Sequence, residues 1–201
     1  MDNLIKICGL STPETLDVAL GAGADMVGFV RFPKSPRHVS LDLGHRLSIQ
    51  ARGRAQRVVL LVDPTDEAIA QAIEALNPDL IQLHGGETPE RVAEIRSMVK
   101  RPVMKAVGIA QASDLRALHP YAGGVDHILL DAKPPRTPEA LPGGNGISFD
   151  WRLLNGLDPR LSFMLSGGLN PDNVAEAIRL TKPQAVDVSS GVESGPGLKD
   201  P

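Results

Sequence analysis

Short apolar runs of strand length recur along this chain at intervals of roughly 22 to 35 residues. Several are apolar at nearly every position, which is typical of parallel strands that helices cover on the outside. Helical patterns lie between the runs. The sequence therefore predicts an α/β chain built of about eight βα repeats. The predicted strands are residues 4–8, 26–30, 57–62, 80–83, 103–107, 127–130, 162–165 and 185–188.

Helix start signals precede several of the helical patterns. Ser11 with Glu14 predicts a capping box before the first helix. Thr65 and Thr88 are predicted N-caps of two further helices, and Asn170 begins an Asn-Pro-Asp start signal after the seventh strand. The helices after the fifth and sixth strands are predicted to be short.

Eight repeats in one domain of 201 residues favour a closed (β/α)8 TIM barrel spanning residues 1–201. An open doubly wound sheet is the alternative. Residues 189–201 are rich in glycine and too short for a full helix, so the eighth helix is predicted to be missing or truncated. We then expect an exposed apolar groove between the first and seventh helices, unless more chain, a second copy in a homodimer or another partner covers it.

Composition excludes several classes of function. The net charge of −3, the pI of about 5.9 and an aromatic content of 3% argue against nucleic-acid binding. No apolar run is long enough to span a membrane, and no signal-peptide pattern begins the chain, so we expect a cytoplasmic protein. One cysteine excludes an intramolecular disulfide. No metal-ligand spacing or dinucleotide fingerprint is present, so we expect neither metal nor cofactor.

Active sites of such barrels lie at the carboxyl ends of the strands. A lone cysteine such as Cys8 is more often a small buried residue than a reactive one, because thiolate chemistry requires a lowered pKa. Lys6, on the same face of the strand, either favours the thiolate or pairs with a carboxylate such as Asp187. His84 either titrates near neutrality or is a hydrogen-bonded structural residue. The strand ends carry Cys8, Arg31, Asp63, His84, Gly108, Asp131 and residues 166–168 and 189–191.

Two loops rich in small residues predict a phosphate site. Residues 166–168 (Ser-Gly-Gly) and 189–191 (Ser-Ser-Gly) follow the seventh and eighth strands, where backbone N–H groups can approach an anion closely. Tight turns that need glycine are the alternative. Arg37 follows a proline and could hold a carboxylate in a bidentate fork, although most loop arginines are only solvated.

The long loop after Asp131 combines rigid and flexible residues. Pro134, Pro135 and Pro138 precede the Gly-Gly-Asn-Gly sequence of residues 143–146. This pattern suits a lid over the site. A plain surface excursion is equally compatible with the composition.

Together these residues resemble those of the phosphoribosylanthranilate isomerases. The resemblance implies an Amadori rearrangement of N-(5-phosphoribosyl)anthranilate to 1-(2-carboxyphenylamino)-1-deoxyribulose 5-phosphate, in tryptophan biosynthesis, with a small-molecule substrate and no cofactor or metal. Arg31 departs from the family, which usually has an apolar or aromatic residue there. The matching stretches are residues 6–9, 27–30, 35–37, 82–85, 129–131, 143–146, 149–151, 165–171 and 186–193.

The resemblance also implies roles for individual residues. Asp131 would be the general acid that opens the ribose ring, and Cys8 the general base that removes the C2 proton. Arg37 would hold the anthranilate carboxylate. This chemistry requires Asp131 neutral and Cys8 ionised at the start, with Lys6 the nearest group able to lower the pKa of the thiol. The candidate substrate-binding residues are Arg37, His84, Gly144, Gly146, Gly167, Gly168, Asp187, Ser190 and Gly191.

Other functions stay open at this point. Another phosphosugar barrel, such as an epimerase or indole-glycerol-phosphate synthase, is one alternative; the synthase would need a catalytic lysine, for which Lys6 and Lys105 are the candidates. A phosphate-binding barrel without catalysis, or one module of a larger bifunctional chain, is the alternative from a different class.

Overall fold

The computed structural model describes residues 3–134 and 141–201. Eight parallel strands close a barrel in chain order, and β8 pairs with β1 to complete it. The predicted α/β TIM barrel is therefore confirmed, and the open sheet is excluded. The strands are β1 (Leu4–Cys8), β2 (Met26–Val30), β3 (Gln56–Leu61), β4 (Leu80–Leu83), β5 (Val103–Ile109), β6 (His127–Ala132), β7 (Met164–Leu165) and β8 (Ala185–Val188).

Helices connect the strands on the outside of the barrel. The connections after β5 and β6 are the 3₁₀ helices Ala112–Leu118 and Trp151–Gly156, so the short helices expected there are confirmed. The α-helices are α1 (Pro13–Gly21), α2 (Leu41–Ala51), α3 (Asp66–Leu76), α4 (Pro89–Val99) and α5 (Val174–Thr181).

Two predicted N-caps are confirmed, and the first helix begins differently. The hydroxyls of Thr65 and Thr88 accept hydrogen bonds from backbone N–H groups in the first turns of α3 and α4. The cap of α1 is Thr12, so the capping box predicted at Ser11 is wrong by one residue. Pro13 explains the shift, because its fixed φ suits the first helical position.

The seventh helix also begins later than the Asn-Pro-Asp signal indicates. The Asn170 side chain accepts hydrogen bonds from the backbone N–H groups of Asp172 and Asn173. These bonds form a local turn that competes with helix, so α5 begins only at Val174.

The barrel interior is filled by alternate residues of the strands. Met104 and Ala106 of β5 belong to this inner cluster, so Lys105 between them points outward into the layer between barrel and helices. There its Nζ lies 2.6 Å from the Glu87 carboxylate, and both side chains are buried. The inner cluster comprises Met26, Val58, Leu80, Met104, Ala106, Leu129, Met164 and Ala185.

The described residues after β8 form a short hairpin. A 3₁₀ turn at Ser190–Val192 leads into β9 (Glu193–Gly195) and β10 (Leu198–Lys199), so residues 189–201 themselves contain no α-helix. The missing or truncated eighth helix stays a prediction. Ile5 on the outward face of β1 is 43% exposed, and Val18 and Leu180 are exposed on α1 and α5. A second copy or another partner on this apolar surface stays a prediction.

A search of the described residues finds no helix with the length and apolar character needed to cross a membrane.

The close contact between β1 and β2 at Gly28 allows no side chain at that position. Gly28 pairs with Cys8, and a Cβ at Gly28 would lie 2.8 Å from the Cys8 Sγ and 3.1 Å from its Cα. Gly28→Ala should therefore lower the free energy of unfolding by about 1–3 kcal/mol. Gly21→Ala, where a Cβ meets nothing within 4 Å, is the matched control and should be neutral or slightly stabilising. Urea denaturation checks both, and equal effects of the two substitutions would contradict the packing argument.

Candidate active site

A cleft opens at the carboxyl ends of the barrel strands. It encloses about 740 Å³ including its open mouth. Apolar residues from β2, β3 and the following loops form one wall, among them Val30, Phe32 and Leu60. All the candidate site residues except Gly191 line the cleft: Cys8, Arg37, His84, Asp131, Gly144, Gly146, Gly167, Gly168, Asp187 and Ser190.

Gly191 has a packing role instead. A Cβ at this position would lie 1.8 Å from the carbonyl oxygen of Leu169, so only glycine fits against the loop after β7. Gly191 brings the two small-residue loops together without lining the cleft.

Cys8 lies at the floor of the cleft and is 4% exposed. It packs with Val30 and Leu60, in an apolar environment that disfavours a charge. Burial raises the pKa of the Cys8 thiol, although attraction to the ammonium groups of Lys6 and Lys199 lowers it. In the unliganded protein, burial and the negative charge of Asp187 outweigh both cations, so the pKa of the thiol lies above its ordinary value. The ionised Cys8 that the reaction requires stays a prediction.

Lys6 lies beneath Cys8 and forms a buried ion pair with Asp187. The distance from Lys6 Nζ to Asp187 Oδ1 is 2.8 Å, and the Lys6 side chain is fully buried. Burial lowers the pKa of Lys6, but the charges of Asp187 and Cys8 outweigh it and keep the pKa above its ordinary value. Both alternatives left open for Lys6 thus describe it: it pairs with Asp187, and it also favours the thiolate.

Asp131 sits across the cleft and is held by two hydrogen bonds. Its Oδ1 accepts from the backbone N–H of Ala132 at 2.8 Å, and its Oδ2 lies 3.1 Å from His84 Nε2. Gln82 Nε2 lies 3.0 Å from His84 Nδ1, which assigns the proton of a neutral His84 ring to Nε2. His84 then donates to the Asp131 carboxylate. Gln82 was missed from the sequence, although a polar residue at an inward strand position two before His84 was a signal.

Arg37 is buried at the rim of the cleft and is already paired. Its Nε and Nη2 donate to the two carboxylate oxygens of Glu193, each at 2.8 Å, and Nη2 also donates to the carbonyl oxygen of Gly144. The bidentate edge predicted for a substrate carboxylate is therefore occupied by the protein itself. Among the described residues no acceptor bonds Nη1, which faces Gly144.

The two small-residue loops leave backbone donors available. Gly167 and Gly168 have φ angles of +92° and +62°, in the left-handed region that favours glycine. Within the described parts of the chain, the N–H groups of Gly168 and Ser190 donate to no protein acceptor. Both residues line the cleft, so these N–H groups are placed to bind an anion there.

The glycines of residues 143–146 contact the other side of the cleft. A Cβ at Gly143 would lie 2.7 Å from His84 Nε2 and 2.9 Å from Asp131 Oδ2. This contact places the segment directly over the candidate acid. Pro135 and Pro138 lie outside the described residues, so the lid stays a prediction.

The remaining strand-end residues point away from the cleft. Arg31 donates from Nη1 to the carbonyl oxygen of Val39, and burial lowers the pKa of its guanidinium. Asp63 accepts a hydrogen bond from the backbone N–H of Gly86. The described part of the chain contains no group of three or more His, Cys, Asp or Glu that could hold a metal ion.

Comparison with known proteins identifies the family. The family model described as N-(5'-phosphoribosyl)anthranilate (PRA) isomerase matches residues 5–201. The chain belongs to this family. An N-(5'-phosphoribosyl)anthranilate isomerase of Rhizobium meliloti is 54% identical over 200 residues, covering 100% of this chain and 93% of its own. The same enzyme of Azorhizobium caulinodans is 57% identical over 197 residues, covering 98% and 86%.

Solved structures of the family share the fold. The Thermotoga maritima isomerase superimposes with a TM-score of 0.87 at 38% identity, covering 99% of this chain and 93% of its own. A second structure, of a phosphoribosylanthranilate isomerase in complex with reduced 1-(o-carboxyphenylamino)-1-deoxyribulose 5-phosphate, gives a TM-score of 0.84 at 37% identity, with the same coverage.

The state of Cys8 can be measured directly because it is the only cysteine. We expect thiolate absorbance at 240 nm to appear only above the pKa of about 8.5 of a free thiol, because burial raises the pKa of Cys8. Because the pKa of Cys8 is higher in the folded than in the unfolded protein, the protonated thiol stabilises the folded state. This contribution to the free energy of unfolding is complete below about pH 8.5 and is lost as the pH rises above the folded-state pKa. Cys8→Ser provides the blank. A thiolate signal at neutral pH would contradict this electrostatic account.

Proposed function

We propose that this protein converts N-(5'-phosphoribosyl)anthranilate to 1-(2-carboxyphenylamino)-1-deoxyribulose 5-phosphate in tryptophan biosynthesis. The observation that carries the proposal is the placement of Cys8 and Asp131 in one cleft, between two anion-binding loops and Arg37. Family membership supports the same reaction.

The first step assigned to this site is ring opening. Asp131, protonated when substrate is bound, donates its proton to the ribose ring oxygen. The bond between C1 and that oxygen breaks while the anthranilate nitrogen shares its lone pair with C1, giving a protonated Schiff base. The carboxylate left on Asp131 is stabilised by the hydrogen bonds from Ala132 and His84.

The proposed ring opening requires Asp131 to carry its proton when substrate is bound. A substrate that carries a phosphate and a carboxylate brings negative charge next to a carboxyl group that is 5% exposed. Negative charge brought by the substrate favours a neutral neighbour. Substrate binding thus prepares the acid for its own reaction.

The second step is proton removal by Cys8. Cys8 first releases its thiol proton to solvent. The thiolate then takes the proton from C2, the electrons of that bond form a double bond between C1 and C2, and the Schiff-base nitrogen becomes a neutral amine. The enolamine then tautomerises to the ketone product. The cationic Schiff base favours ionisation of Cys8 at the moment when the base is needed, and Lys6 adds to this effect.

The anionic ends of the substrate are assigned to opposite parts of the cleft. The backbone N–H groups of Gly168 and Ser190 would bind the phosphate. Nη1 of Arg37 would bind the anthranilate carboxylate, because Glu193 occupies the other edge of the guanidinium.

The positions of Lys6 and Lys105 do not favour the alternative function as an indole-glycerol-phosphate synthase, which would need a catalytic lysine. Lys105 points into the layer outside the barrel and pairs with Glu87. Lys6 is fully buried beneath Cys8 and pairs with Asp187. Neither lines the cleft, so neither is placed to act on a bound phosphosugar.

The reaction itself is tested by following the fluorescence of the anthranilate conjugate. Purified protein in a chelator should convert N-(5'-phosphoribosyl)anthranilate to the ketose without added metal or cofactor. Heat-denatured protein is the blank for spontaneous decomposition. A rate equal to that blank would overturn the proposed function.

The two catalytic assignments are tested separately. Asp131→Asn and Cys8→Ser should each lower kcat by about 100- to 10,000-fold, because each removes one general acid or base step. Both should still bind the reduced product analogue within a few-fold of wild type. Asp158→Asn, an exposed carboxyl change far from the cleft, is the control and should retain full turnover. Retention of near-normal kcat by either variant would remove that residue from the mechanism.

A further inference from the structure

The C-terminal hairpin supplies a charged pair to the rim of the active-site cleft. Glu193 opens β9 and Lys199 ends β10, and their side chains are 3% and 5% exposed. Lys199 Nζ lies 2.6 Å from Glu193 Oε1. Two buried, oppositely charged side chains in a short hairpin are costly to bury unless each is fully hydrogen-bonded.

Glu193 meets this condition and holds Arg37. Its two oxygens accept from Nε and Nη2 of Arg37, from Lys199 and from the backbone N–H of Gly197. Burial by itself raises the pKa of Glu193, but the hydrogen bonds from Arg37 and Lys199 outweigh it and hold the pKa below its ordinary value. Glu193 is therefore ionised, and it fixes the plane of the Arg37 guanidinium.

Lys199 connects Glu193 to the loop that follows β8. Besides Glu193, its ammonium donates to the backbone carbonyl of Ser189 at 2.9 Å and lies 3.3 Å from the Ser189 hydroxyl. Ser189 lines the cleft directly after β8. Burial lowers the pKa of Lys199 although Glu193 opposes the change.

The hairpin also packs directly on the loop that carries Arg37. Gly197 has a φ of +80°, and a Cβ there would lie 2.7 Å from the carbonyl oxygen of Pro36. On the other side of Arg37, a Cβ at Gly9 would lie 2.5 Å from the arginine Cδ. The arginine side chain is thus confined between β1 and the hairpin, with Nη1 as its remaining edge.

We propose that Glu193 and Lys199 form a positioning pair that presents the Nη1 edge of Arg37 to the carboxylate of the substrate. Arg37 and Lys199 share the single carboxylate of Glu193, so the cluster carries one positive charge in excess, which matches one carboxylate. Without Lys199 the Arg37–Glu193 pair would be neutral overall. The inference rests on the proposed function, since it concerns the anthranilate end of that substrate.

The pair predicts a selective change in ligand binding. Lys199→Met should weaken binding of reduced 1-(2-carboxyphenylamino)-1-deoxyribulose 5-phosphate by about tenfold, from the loss of one charge at close range. The affinity for an analogue that has a phenyl ring without the carboxylate should change less than about twofold, because the phosphate-binding loops of the variant are intact. In turnover, KM should rise by a larger factor than kcat falls. Isothermal titration of both ligands gives the deciding ratio.

Controls separate positioning from a general loss of structure. Lys199→Arg keeps the charge and should recover most of the carboxylate discrimination, whereas Lys199→Gln keeps the stem and donors but not the charge and should lose it. Lys133→Met removes another lysine–carboxylate pair, at the surface, and should leave both affinities unchanged. Folding of each variant is checked by circular dichroism, and the glutamine variant decides the question where the methionine variant does not fold.

The outcomes are distinct from those for the reaction itself. Equal weakening of both ligands, or no weakening of either, in a folded Lys199→Gln or Lys199→Met protein would overturn the positioning role while wild-type turnover stands. Absence of wild-type turnover would instead overturn the proposed function, whatever the binding ratio.

Discussion

The buried ion pair between Lys6 and Asp187 affects both the closure of the barrel and the pKa of Cys8. The two residues are register partners across the β1–β8 seam, the last pairing needed to close the sheet. Breaking a buried pair by removing one partner typically costs about 3–5 kcal/mol, because the remaining charge stays buried. The same ammonium is the cation that lowers the pKa of Cys8 most. The stability of the β1–β8 pairing and the pKa of the Cys8 thiol therefore both depend on the Lys6–Asp187 ion pair.

A cysteine held mainly as the thiol has a consequence for catalysis. In the proposed mechanism the thiolate forms only beside a cationic intermediate. It would then be protected from reaction in the empty site, and its high pKa would make it a stronger base when it forms. In the proposed mechanism, the charge state of Cys8 that suits proton removal would arise only with the ligand.

The strands could be predicted from sequence because most are continuous apolar runs, and β1, β2, β4 and β8 agree residue for residue. The seventh strand is shorter than expected, since Ser162 bonds the Gln184 side chain and stays outside the ladder. Strand ends located Cys8 and Asp131, because parallel strands in a barrel finish at one face. The direction of the pKa shift at Cys8 was not predictable, because it depends on how many apolar neighbours the closed barrel places around the sulfur.

Glu193 and Lys199 were missed for a related reason. In the sequence they are two charged residues in a glycine-rich segment, a pattern that ordinarily predicts solvent-exposed side chains. Only tertiary packing brings that tail over the mouth of the barrel, where Lys199 reaches Ser189 and Glu193 reaches Arg37. Cys8 then lies between two lysines: Lys6 in the barrel pairs with Asp187, and Lys199 in the hairpin shares Glu193 with Arg37. Because one carboxylate serves both Arg37 and Lys199, their cluster keeps one positive charge in excess, which in the proposed function meets the anionic substrate. Burial nevertheless remains the largest influence on the pKa of the Cys8 thiol.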